Sequence, residues 1–166
     1  MRFWPIRRKA IPQQAEPVAA FSQQRVLSIL NPDQVESLGG LPAEAIVGSV
    51  SGEELSPHTF RPNSTFIDFL HKIIQKDGPD DPGLQAAARE QIDGWVYVID
   101  LRTPDGPQGR VPPDDVIGGF AVRAGQVVRR SYQPNPTYVA FTSHGLISLP
   151  PFLHQAFIDG LPRVRA

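Results

Sequence analysis

Proline is missing from five stretches of this chain: Val18–Asn31, Asn63–Gly78, Gly83–Thr103, Asp114–Gln133 and Thr137–Leu149. Proline fixes φ and removes a backbone donor, so it stops helices and sheet ladders alike. Much of the helix and strand periodicity falls inside these intervals, with the 18 prolines acting as boundaries. The prolines show no period, which excludes collagen and polyproline repeats. With 40% hydrophobic and 20% charged residues among 166, the chain has the make-up of one globular domain, expected over residues 17–162. There is no cysteine, which excludes disulfide scaffolds, thiolate-bound zinc and thiol catalysis.

Residues 1–16 read as a flexible basic arm. Arg2, Arg7, Arg8 and Lys9 face one acid, Glu16. No apolar run follows these cations as a secretory signal requires, and no run approaches the length of a membrane span. A cytoplasmic protein is the expectation. Phe3 and Trp4 are out of character for a disordered arm and suggest docking on a partner.

Within the domain, Val18–Leu30 reads as a helix with an imperfect apolar stripe. Asn31 and Pro32 suit the N-cap and first position of a second, short helix, which Gly39-Gly40 ends. Ala45–Val50 reads as a strand. Phe66, Phe69, Leu70, Ile73 and Ile74 repeat at helical spacing and predict a helix over about Ser64–Lys76. Asp81-Pro82 starts another, running to Ile92. At Gly94 the pattern changes. Trp95–Leu101 is aromatic and β-branched, hence a strand. Val116–Val122 and Gln126–Ser131 flank a glycine-bearing loop and read as a hairpin. Thr137–Phe141 predicts a further strand and Pro150–Asp159 a last helix. Helices first, strands next and a closing helix indicate α+β: an antiparallel meander of about 4–5 strands packed on helices.

The chemistry-bearing residues are sparse. His58, His71, His144 and His154 show no i, i+4 pair and no His-Glu-x-x-His, so no metal is expected. Gly118-Gly119 lacks the lysine and helix of a phosphate loop and reads as a bulge or close backbone approach, so no cofactor is expected. His144 or His58 with Asp114 or Asp115 is the one constellation that suits a small hydrolase-like enzyme. Against it, Asp114-Asp115 after two prolines reads first as a solvated turn, or as an acceptor for an arginine such as Arg110. The basic arm with Arg123, Arg129 and Arg130 offers a weaker nucleic-acid reading, since the net charge is only −1.

The segment Ser131–Tyr138 holds two X-Pro bonds and two tyrosines. Tyr132, Asn135 and Tyr138 on such a stiff frame suit a recognition loop. The expectation is a non-catalytic accessory protein that binds a protein partner through Phe3 and Trp4 or through this loop. Self-association is left open.

Overall fold

The computed structural model describes residues 24–102 and 111–164. The arm with Phe3 and Trp4, and the start of the first expected helix, lie outside the described residues, as does Arg110.

Among the described residues, four helices and nine strands build an antiparallel α+β fold. The first element corrects the sequence reading. Arg25–Ser28 is a strand, β1, pairing with β2 (Ile46–Val50). Val26 is exposed and Leu27 packs on the core. The short β3 (Arg61–Pro62) completes a three-stranded sheet in the order β1-β2-β3, which stands beside the helices of the described N-terminal half.

Helix α1 (Pro32–Leu38) begins and ends as its sequence dictates. Asn31 Oδ1 accepts from the Gln34 amide at 2.8 Å, and Gln34 Oε1 accepts from the Asn31 amide at 2.9 Å. This reciprocal box satisfies two donors that a helix start leaves orphaned. Gly39, at φ 81°, takes the left-handed position that ends the helix. Helix α2 (Ser64–Asp77) is capped by Asn63, whose side chain accepts from Thr65. Its face of Phe66, Leu70, Ile73 and Ile74 is buried, each side chain contributing about 1.5–3 kcal/mol by leaving water. Helix α3 (Pro82–Gln91) starts where Asp81 accepts from Gly83 and Leu84. Ile92 ends it in a positive-φ conformation.

The larger sheet follows. β4 (Gly94–Ile99) pairs with β5 (Val116–Arg123), with Val96 opposite Phe120 and Tyr97 opposite Gly119. On its other side β5 pairs with β6 (Gln126–Val127) and, further along, with β7 (Gln133–Pro134). The hairpin therefore forms as expected, but its second strand is short. The expected strand over Thr137–Phe141 does not form. Asn135 Oδ1 accepts from the Thr137 amide and hydroxyl, and the Tyr138 amide donates to the Asn135 carbonyl. These local bonds bend the chain and compete with a ladder. Only Phe141–Thr142 (β8) remains extended, pairing with Gly145–Leu146 (β9). Helix α4 (Pro151–Gly160) closes the described chain and packs Leu153 and Phe157 into the core. The Phe157 ring sits 5.5 Å from Phe66 and 5.1 Å from Phe69.

Candidate functional site

Two places on the fold collect the sequence-predicted residues. The first is buried. Arg102, just past the end of β4, lies among carboxylates and carbonyls. Its Nε donates to Asp115 Oδ1 at 2.8 Å and lies 3.4 Å from Asp100 Oδ2. Its terminal nitrogens donate to the carbonyls of Val139 at 2.8 Å and Asp114 at 2.9 Å. Asp100 Oδ2 also accepts from the Tyr138 hydroxyl at 2.6 Å, and Asp100 Oδ1 accepts from the amides of Arg102 and Ser148. Burial pushes the Asp100 carboxyl above its usual pKa, and the bonds from Tyr138, Ser148 and Arg102 oppose that rise. Burial and the adjacent Asp100 charge push the Tyr138 phenol well above its usual range.

This cluster revises two expectations. Asp115 is not a solvated turn residue; it is 0% exposed at the end of a 3₁₀ turn over Pro113–Asp115. The arginine it meets is Arg102. A buried guanidinium needs donors matched on several sides, and this one finds two carboxylates and two good carbonyls. Tyr138, expected as a recognition residue, is buried with them. Asp114 stays exposed and contributes its carbonyl.

His144 lies on the rim, 40% exposed at its side chain, with Nδ1 3.7 Å from Asp115 Oδ1. The structure thus brings one histidine near one of the named carboxylates. That distance is too long for a hydrogen bond, and Asp115 already accepts from Arg102. His58 lies elsewhere, exposed in a 3₁₀ turn over Pro57–Thr59 that Ser56 caps.

The second place is the outer face of the larger sheet. Strand alternation sends Val96 and Val98 inward and Trp95 and Tyr97 outward. Trp95 is 38% exposed and Tyr97 54%. Beside them runs a shallow groove of about 310 Å³. Its walls include Trp95, Tyr97, Val116, Gln133, Pro134 and Asn135, and its floor is Gly118-Gly119. Among the described residues, the lining carries no charged side chain. The glycines are here for space. A Cβ on Gly119 would lie 2.9 Å from the Tyr97 ring, and one on Gly118 would run into the Tyr132 phenol on the inner side. The sequence reading of a close backbone approach describes both.

Tyr132 also turns inward. Its ring packs 5.0 Å from Phe120, and its hydroxyl lies 2.7 Å from His71 Nδ1 on α2. Burial raises the Tyr132 phenol pKa, so it remains an O–H and can donate to a neutral imidazole. Of Tyr132, Asn135 and Tyr138, only Asn135 reaches the groove among the described residues, and its backbone and side-chain nitrogens bond the carbonyls of Ile117 and Val116.

A wider concavity of about 740 Å³ lies between α3 and the β5–β6 hairpin. Its walls are mainly polar, with Gln85, Arg89, Gln126 and Arg129 among them. Arg129 is in an ion pair with Asp80, and the Ala124 amide donates to Asp93, so acids temper the basic hairpin.

Sequence reasoning missed Arg102 and the pair Trp95 and Tyr97 as site residues. The signal for the aromatics was present, because two aromatics at i, i+2 in a strand must share a face.

Comparisons of the chain with protein-family models, with curated proteins and with solved structures found no match.

Proposed function

We propose that this chain is a non-catalytic protein-binding module whose outer sheet face takes an uncharged, extended, proline-bearing segment of a partner protein. The observation that carries the reading is the exposed Trp95–Tyr97 pair beside an uncharged groove. Neighbouring outward positions on a strand stand about 7 Å apart, so the two rings form a short aromatic rail. Aromatic-lined grooves suit polyproline-type segments, which are extended before binding and lose little entropy when held. Gln133 at the groove wall supplies a side-chain amide for an otherwise unpaired peptide backbone.

The nucleic-acid reading lacks this support, because phosphate backbones need cations beside the stacking rings and the described residues of the groove lining include none. The hydrolase-like reading is less favoured too, since the carboxylate nearest His144 is engaged by Arg102. A cytoplasmic location belongs to the same proposal.

The test uses the fluorescence of Trp95. The chain has two tryptophans, so Trp4→Phe leaves Trp95 as sole reporter. Titration with a library of short proline-bearing peptides should give a saturable spectral shift that Tyr97→Ala weakens. No shift with any peptide would sink the proposal. A saturable, salt-sensitive shift with a single-stranded oligonucleotide instead would favour the nucleic-acid reading.

A further inference from the structure

The larger sheet ends at β4, and one edge of β4 has no strand partner among the described residues. The direction of its backbone groups follows from two bonds. The Asp100 amide donates to the Asp115 carbonyl, on the β5 side. The Leu101 amide donates to the Ser148 carbonyl, on the opposite side. Backbone groups alternate along a strand, so Trp95, Tyr97 and Ile99 aim their N–H and C=O away from β5. Ser148 occupies the edge at Leu101, and the stretch with no strand partner among the described residues is Trp95–Ile99.

Natural edge strands are usually blunted by charge, proline or a bulge in the edge itself. β4 has none of these. Its sequence Gly-Trp-Val-Tyr-Val-Ile is uncharged and proline-free, and the irregularity at Val98/Ile99 places the extra residue, Ile117, in β5. The strand is also self-complementary. Set antiparallel to a second β4 about a two-fold axis at Tyr97, it places Tyr97 opposite the second Tyr97 and Trp95 opposite the second Ile99. Val96 then meets the second Val98. Each of these is an aromatic or β-branched pair of the kind that stabilises antiparallel sheets. The outward-aimed groups of residues 95, 97 and 99 fall in the hydrogen-bonded positions of this register, giving about six new backbone bonds.

We infer that the chain pairs with a second copy of itself through the β4 edge, in this register. The result is one continuous eight-stranded sheet with isologous pairing, and it sets the two aromatic grooves side by side on one face. The inference goes beyond the peptide-binding proposal and does not need it.

The absence of cysteine makes the register testable on the full chain. Three single variants are made: Tyr97→Cys, Trp95→Cys and Ile99→Cys. Tyr97→Cys should cross-link with itself under mild oxidation, since directly opposed Cα atoms are about 5.5 Å apart and within disulfide reach. Trp95→Cys alone should not, but mixed with Ile99→Cys it should. Sedimentation should show the wild type as a dimer in the micromolar range. Ile99→Pro removes an outward N–H without touching the groove, and should raise the dimer dissociation constant by about tenfold or more. Tyr97→Lys, placing like charges on the axis, should give a folded monomer by circular dichroism. A wild-type monomer at every concentration overturns the inference, as does cross-linking of Trp95→Cys alone. So does a dimer that Ile99→Pro and Tyr97→Lys both leave intact. A monomeric Ile99→Pro that still binds peptide separates this outcome from the fate of the groove.

Discussion

Arg102 Nε donates to Asp115 Oδ1 at 2.8 Å, with both side chains about 1% exposed. Thirteen residues separate the two in sequence, and the bond ties the end of β4 to the start of β5. Removing one partner of a buried pair leaves the other charge in low dielectric without compensation. Arg102→Leu should therefore lower stability by about 3–5 kcal/mol in urea unfolding, with the slope unchanged. Tyr138→Phe removes one neutral donor from Asp100 and should cost only about 1–3 kcal/mol. Equal losses for the two variants would show that the guanidinium does not organise the cluster.

The His71–Tyr132 contact predicts a pH dependence. Burial, the larger effect, lowers the His71 pKa from 6.5, and the Asp68 charge one turn earlier partly opposes it. The folded pKa is thus below the unfolded one. The stabilisation is complete above the unfolded value and is lost as pH falls through the folded value. Protonation at Nδ1 would also remove the acceptor that the Tyr132 hydroxyl uses. The melting temperature should drop between about pH 7 and pH 5, and His71→Phe should flatten that part of the profile. A profile identical in wild type and His71→Phe would refute the assignment.

Gly118→Ala tests the crowding beneath the sheet. The added Cβ has no room beside the Tyr132 phenol, so the ring or the strand must shift, at about 1–3 kcal/mol. Combined with Tyr132→Ala the penalty of the glycine change should largely vanish. The coupling is read as the non-additive part of a double-mutant cycle by thermal or urea unfolding.

Phe157 is 0% exposed and contacts two other phenylalanine rings. Phe157→Ala should cost about 3–5 kcal/mol, through lost transfer energy and the cavity that remains. A loss under 1 kcal/mol, measured by urea unfolding, would mean that α4 is not integral to the core.

Local punctuation made much of this fold readable. Asn31-Pro32 with Gly39, Asn63 before Ser64, and Asp81-Pro82 each name a helix start or stop through their own backbone chemistry. The strand β4 was equally plain from its β-branched and aromatic residues. What could not be read depended on partners remote in sequence. Arg25–Ser28 is a strand because β2 offers it a ladder, and Val26 and Leu27 alone do not say so. Asp115 looks like any acid after two prolines until Arg102 is folded against it. Tyr132 and Tyr138 look like display residues until His71 and Asp100 draw their hydroxyls inward. The aromatic rail was legible in spacing, but its exposure depends on which face the helices cover.

Gly118 and Gly119 leave the sheet only one backbone thick between two tyrosines, Tyr132 on one side and Tyr97 on the other. That thinness constrains evolutionary drift. A lineage that keeps both tyrosines must keep both glycines, and a side chain can enter at Gly118 only after Tyr132 shrinks. Substitutions here should occur in linked pairs. The arrangement of an outward aromatic pair, a downstream double glycine in the facing strand, and a tyrosine shortly after it is then a fingerprint by which distant relatives of this chain can be found.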